Sequence, residues 1–175
     1  MSEGESGLKY WLVAEAYEKI EQTSKRLEMT DYLVDLLKKT PKSAIEKVVY
    51  LTQGKLYPDF TGIEIGIAEK LAVKAVAKAT GRSEAEIEED LKNTGDLGET
   101  AQKFLEKKRQ VTFFPQPLTV ERVYETLDKI ARASGPGSMD QKINLLAGLL
   151  ADAKPCLLYT SDAADEGLGV DLCGC

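Results

Sequence analysis

Apolar residues in this chain return every three or four positions almost without interruption, and no five-residue stretch alternates apolar with polar convincingly. With 3.6 residues per turn, such spacing puts the apolar side chains on one face of a helix. The expected fold is therefore all-α. A first helix is expected between Leu12 and Leu27, on Leu12, Val13, Ala16, Tyr17, Ile20 and Leu27. Thr30 and Asp31 offer side-chain oxygens to cap a second over Leu33, Leu36 and Leu37, with a stop and restart at Thr40–Pro41 before Ile45, Val48, Val49 and Leu51.

Gln53 to Gly62 breaks the period with two glycines and a proline, and reads as an ordered loop anchored by its aromatic residues. Gly66 is expected to open the next helix, through Leu71, Val73, Val76 and Ala79, and Gly81 to end it. Ser83 to Glu86 spells a capping box, and Asp96 to Glu99 repeats the logic for a helix through Phe104 and Leu105. Prolines 115 and 117 exclude a helix over Val111 to Thr119, which reads as an extended connector with Phe113–Phe114 as an inter-lobe anchor. Beyond it Val120, Val123, Tyr124, Leu127 and Ile130 form a stripe. A turn at Ser134 to Ser138 comes next, and Ser138 to Gln141 is expected to cap a last helix through Ile143, Leu146, Leu149 and Leu150.

The pattern echoes itself: AYEKI at Ala16–Ile20 resembles VYETL at Val123–Leu127, and LVDLLKKTP at Leu33–Pro41 resembles LAGLLADAKP at Leu146–Pro155. Two lobes built from diverged helical repeats are expected, one over about 8–110 and one over about 118–155. The second stops at Lys154–Pro155, so it reads as incomplete, with an apolar face on Leu146, Leu149 and Leu150 left uncovered.

The segment after Pro155 reads as foreign. CLLYTSDAADE, Cys156 to Glu166, resembles the translation of a sequencing-library transposon adapter, and VDLCGC at Val170–Cys175 resembles, with two changes, the outer half of the same adapter. Residues 156–175 are expected to be a disordered, non-native tail. All three cysteines lie there and the chain has no histidine, so disulfide and cysteine–metal chemistry lapse. The chain carries 23 basic and 29 acidic residues; without the tail acids Asp162, Asp165, Glu166 and Asp171, 25 acids face 23 bases. Any nucleic-acid binding must then come from local patches rather than overall charge. No apolar run is long enough to span a bilayer, and the opening MSEGESG is unlike a targeting peptide, so a soluble, intracellular protein is expected.

Catalytic sets are absent from the sequence: there is no histidine, no G-x-x-x-x-G-K-[ST] phosphate loop and no G-x-S-x-G. Acid pairs such as Glu88–Glu89 read as a solvated helix face. Anion-binding devices are present instead. The amides of Gly66 and Ile67 at a glycine-led helix start, and the turn from Gly135 through Gly137 to Ser138 with Lys142 beyond, present N–H groups and a helix dipole to a phosphate. Thr23, Ser24, Lys25 and Arg26 combine two hydroxyls with two cations at a helix end, and Lys70, Lys74 and Lys78 share a helical stripe.

KVVYLTQGKLYPDF, GIEIGIAEKLAVKAVAKATG, NTGDLGE, QPLTVERVYETLDKIA and SGPGSMDQKINLLAGLL jointly resemble the N-terminal DNA-binding domain of archaeal and eukaryotic-type ATP-dependent DNA ligases, over Glu15 to about Pro155. Where that family commonly shows G-x-G-E, this chain has Gly66-Ile67-Ala68-Glu69. The resemblance implies a helical domain that grips nicked duplex DNA through its backbone and minor groove, with Thr23, Ser24, Lys25, Arg26, Gly66, Ile67, Lys70, Gly137, Ser138 and Lys142 as contacts. It implies that ATP and magnesium serve a K-x-D-G domain followed by an oligonucleotide-binding-fold domain in the parent. No K-x-D-G occurs in this chain, so no catalytic residue, cofactor or metal site is assigned to it. A sliding clamp as partner, a nucleoid-associated cytoplasmic location and no membrane attachment complete the expectation. The rival reading is a helical-repeat scaffold for protein partners, consistent with the echo and the near-neutral charge.

Overall fold

The computed structural model of the chain describes residues 7–107 and 117–164, with side chains through Ala153. The described elements are α1 (Tyr10–Glu21), α2 (Arg26–Lys39), α3 (Ile45–Thr52), a 3-10 turn at Asp59–Thr61, α4 (Glu69–Thr80), α5 (Glu84–Thr94), α6 (Leu97–Glu106), α7 (Val120–Arg132) and α8 (Ser138–Ala164). The only extended pairing among described residues is one bridge, Lys9 to Thr119. The fold is all-α, as the periodicity requires. The Phe113–Phe114 pair and most of the connector expected at Val111–Thr119 lie outside the described residues, as does the end of the tail; the backbone of α8 runs through the tail's first part to Ala164.

Several helix boundaries differ from the sequence expectation, each for a local reason. α1 stops at Glu21 rather than continuing to Leu27, and Leu27, although in phase with the apolar stripe, is 82% exposed on α2. The break contains neither glycine nor proline. It is closed by Thr23, whose hydroxyl oxygen accepts from the Lys25 amide at 3.2 Å and whose hydroxyl donates to Glu28 at 2.6 Å. Such side-chain bonds give the backbone an alternative to the helical ladder. Thr30 and Asp31 consequently sit inside α2, and the Thr30 hydroxyl bonds back to the Arg26 carbonyl at 2.9 Å. Ser138 is likewise the first residue of α8 rather than its cap; the Gln141 amide donates to the Gly137 carbonyl at 3.1 Å. The restart expected at Thr40–Pro41 also shifts: the Thr40 hydroxyl bonds back to the Leu36 carbonyl at 2.7 Å, and α3 begins only at Ile45 with Ala44 as its N-cap. The caps at Ser83 and Asp96 form as expected from the sequence. Ser83 and Glu86 bond reciprocally, and the Asp96 carboxylate accepts from the Gly98 and Glu99 amides at 2.6 and 3.0 Å.

α4 is the centre of the molecule. Leu71, Val73, Ala75, Val76, Ala77, Ala79 and Thr80 are all buried along it, leaving Lys70, Lys74 and Lys78 as its exposed stripe. On one side Val73, Val76 and Ala77 meet Ile87 of α5 and Ala101 of α6. On another, Ala75 and Ala79 meet Ala147 of α8 with Leu105 of α6, small residues that let the helices approach closely. The expected uncovered face on α8 is therefore not found. Leu149 is buried against Leu118 and Val123, while Leu146 and Leu150 are half-buried in the clusters around α4. α4, α6 and α7 supply the cover that the sequence echo assigned to absent helices.

Contacts also cross the division expected near residues 110–118. Val120, at the start of α7, joins Leu8, Val13, Ala16, Leu36, Ala44 and Val48 in one cluster. Two backbone bonds hold it there, Tyr10 N–H to Leu118 at 2.9 Å and Val120 N–H to Leu8 at 2.8 Å. α7 also anchors the α3–α4 loop. Leu56 is buried, its carbonyl accepts from the Tyr124 hydroxyl, and the Tyr57 hydroxyl donates to Asp128 at 2.9 Å while accepting from Arg132 at 3.0 Å. Tyr57 thus anchors the loop as expected of its aromatics, whereas Phe60 stands 90% exposed.

Candidate nucleic-acid interface

The turn between α1 and α2 presents Ser24, Lys25 and Arg26 to solvent, with Thr23 half-buried beneath them. Its donors are not equally free. The Glu28 carboxylate accepts from the Thr23 hydroxyl at 2.6 Å and from the Lys25 ammonium at 2.7 Å. The Lys25 bond, then the Thr23 bond, hold that carboxyl below the usual carboxylate range. The Arg26 guanidinium forms no ion pair or hydrogen bond with other described side chains, so it is the uncommitted cation of the turn.

Gly66 does not open α4. The helix begins at Glu69 with Ala68 as its N-cap, whose carbonyl accepts from the Leu71 and Ala72 amides at 2.9 and 3.1 Å. Gly66 and Ile67 belong to the loop just before it, and the amides left without an intrahelical partner at the helix start include those of Glu69 and Lys70. Gly66 adopts φ +59°, the left-handed region that disfavours other residues. A β-carbon there would lie 3.9 Å from the Lys142 ammonium and 3.8 Å from the Glu64 carbonyl, so space is available and only the backbone conformation resists substitution. Gly66→Ala is accordingly expected to cost roughly 1 kcal/mol of stability, with Gly66→Asn costing less, as read from urea midpoints.

The same proximity joins two stretches that are remote in sequence. Lys142, in the first turns of α8, reaches the Gly66 loop, and Lys78 of α4 donates to Asn144 of α8. Gly66 therefore lies beside Lys142 at the seam where α4 packs against α8, with Ile67 and Lys70 following it along the chain into the start of α4. Ser138 contributes less than its sequence position suggests, because its amide is used by the Gly135 carbonyl at 3.2 Å. Gly137 is exposed and Ser138 half-buried. The hydrogen bonds of Thr23 and Lys25 remain within their own helical hairpin, apart from this seam. The Gly66–Lys142 approach is invisible to sequence reading; the Glu28 clamp carries a signal, an acid at the third position of a helix that begins just after a Thr-Ser-Lys turn.

Among the described residues no group of three or more His, Cys, Asp or Glu side chains is arranged to hold a metal ion, and no helix is long and apolar enough to cross a membrane. Helices packed around a buried α4, with Lys70, Lys74 and Lys78 on its exposed stripe and Lys142 beside the left-handed Gly66, make an all-α module.

The chain belongs to the family described as DNA ligase N terminus, whose pattern it matches over residues 9–159. It is 51% identical over 148 residues to a DNA ligase of Nitrosopumilus maritimus, covering 85% of this chain and 25% of that protein. Against DNA ligase 2 of Thermofilum pendens it is 53% identical over 155 residues, covering 85% of this chain and 26% of that protein. A DNA ligase of Thermococcus onnurineus is 48% identical over 148 residues, again across 85% of this chain and 26% of the other. The chain thus spans about a quarter of the length of the curated relatives it matches.

Proposed function

We propose that this chain is the DNA-holding portion of an ATP-dependent DNA ligase, gripping nicked duplex through the sugar-phosphate backbone and minor groove while the rest of the enzyme seals a 3′-hydroxyl to a 5′-phosphate. The observation that carries the reading is the approach of Lys142 to the Gly66 loop beside the start of α4, in a chain of the DNA ligase N-terminal family. A left-handed glycine, unpaired helix-start amides and a flexible ammonium together suit a phosphate, which takes N–H donors and charge without base reading. Arg26, Ser24 and the Lys70, Lys74 and Lys78 stripe extend the cationic surface, and Gly137 and Ser138 lead into the helix that carries Lys142.

On this reading the parent uses ATP and magnesium in a K-x-D-G domain, followed by an oligonucleotide-binding-fold domain. It works with a sliding clamp in replication, repair and recombination, in a nucleoid-associated cytoplasmic setting. Residues 156–175 are proposed to be non-native; the genomic reading frame beyond Pro155 tests both points, since it has to continue to K-x-D-G without the adapter-like segment. The DNA reading is tested by titrating nicked duplex against salt. Log affinity is expected to fall linearly with log salt by several counter-ions, and Arg26→Ala to weaken binding about three- to tenfold and flatten the slope by about 0.9. A flat salt response with tight capture of a protein partner would favour the scaffold reading instead.

A further inference from the structure

We infer that Glu28 acts as a built-in competitor for phosphate at the α1–α2 turn, lowering the turn's affinity for a nucleic-acid backbone until its carboxylate is displaced. This role rests on the proposed DNA-holding function, and concerns what sets its strength. The carboxylate takes one hydroxyl donor and one ammonium donor, Thr23 at 2.6 Å and Lys25 at 2.7 Å. These are the donor types a phosphodiester oxygen would take from the same turn. The contact is at the surface: the side chains of Lys25 and Glu28 are 75% and 41% exposed, so solvent screens the pair and an incoming polyanion can replace it. An open depression of about 440 Å³, lined in part by Lys19, Thr23, Ser24, Lys25, Glu28 and Tyr32, lies at this spot.

Other charges nearby do not produce the same effect. Lys19 is committed to Glu15, and the Glu18 carboxylate accepts from Gln22 at 3.2 Å, so neither bears on Lys25. Glu21 ends α1 at the same turn, exposed, and no bond ties it to Thr23 or Lys25. It carries the same charge without the clamp. Gln at position 28 keeps an oxygen to accept the Thr23 hydroxyl, so the turn retains its fold while Lys25 is released.

The experiment is fluorescence anisotropy with nicked duplex over a salt series, using the full chain as wild type, Glu28→Gln, Glu21→Gln, Lys25→Met and the Glu28→Gln/Lys25→Met double variant, with melting temperatures as the check on folding. Glu28→Gln is expected to bind about three- to tenfold tighter with a slope steeper by about 0.9, the signature of one further phosphate contact. Glu21→Gln is expected to change affinity by less than about twofold and to leave the slope alone, as general loss of one acid would. Relative to Lys25→Met, the double variant is expected to show none of the gain, because the released cation is then gone. If wild type binds but Glu28→Gln gains no more than Glu21→Gln, or the gain survives in the double variant, the competitor role is wrong while the DNA reading stands. If none of the proteins binds nicked duplex at low salt, the DNA reading fails and the Glu28 role fails with it.

Discussion

Replacing Ile87 with alanine is expected to cost about 3 kcal/mol of folding stability, as large an effect as any one side chain of this core should produce. Ile87 is fully buried, and it is the side chain of α5 that fills the space between Val73, Val76 and Ala77 of α4 and Ala101 of α6. Two of those neighbours are alanines, too short to swing into a vacated volume, while Leu91, Leu97, Phe104 and Leu150 at the margin of the cluster can relax toward it, which places the cost in the middle of the range. Isoleucine-to-alanine changes at such sites run from about 2 to 5 kcal/mol, the upper values where collapse is blocked. For a domain of this size that corresponds to a melting temperature lower by roughly 6–12 °C. Ile87→Val, which removes one methyl group, is expected to cost about 1 kcal/mol. Calorimetry on the three proteins checks the pair; a loss below about 1 kcal/mol for the alanine variant would mean that α5 is not clamped between α4 and α6.

Reversing the charge at Lys142 is expected to have the largest effect on binding. Lys142→Glu removes the ammonium beside Gly66 and puts a carboxylate where a phosphate is proposed to sit. A drop of roughly ten- to a hundredfold in affinity for nicked duplex at low salt is expected, with the salt slope flatter by about 0.9 or more. The melting temperature should move by no more than a degree or two, because Lys142 is only half-buried and a polar surface substitution costs little. Binding that falls in parallel with stability would point to a packing role for the lysine stem. Binding that stays at the wild-type level would remove the α4–α8 seam from the interface.

Local chemistry is legible in the sequence and long-range pairing is not. Ser83 and Asp96 announce their helices because a cap involves only three or four consecutive residues, and Gly81 ends α4 with φ +71° for the same reason. The α1–α2 break escapes the period because Leu27 keeps the apolar phase while the Thr23 hydroxyl, rather than a glycine or proline, closes the turn. Gly66 reads as a helix start because a glycine before an apolar stripe looks like one; its left-handed conformation instead turns the loop so that Ala68 caps the helix. The cover on Leu149 and Leu150 depends on α4, α6 and α7, whose approach no spacing rule encodes. Of the candidate site, the residue types are readable, whereas the meeting of Gly66 with Lys142 and the sequestering of Lys25 by Glu28 require three-dimensional placement.

The two backbone bonds that tie Leu8 and Tyr10 to Leu118 and Val120 carry a consequence for how the molecule assembles. Most helical proteins gain speed from neighbours in sequence, since closing a short segment loses little entropy. Here Val13 and Val48, both at zero exposure, share their cluster with Val120, so the first three helices cannot seal until α7 has been synthesised and has returned to them. A chain leaving the ribosome holds that hydrophobic seat open through the making of α4, α5 and α6, and closes it only once α7 has emerged.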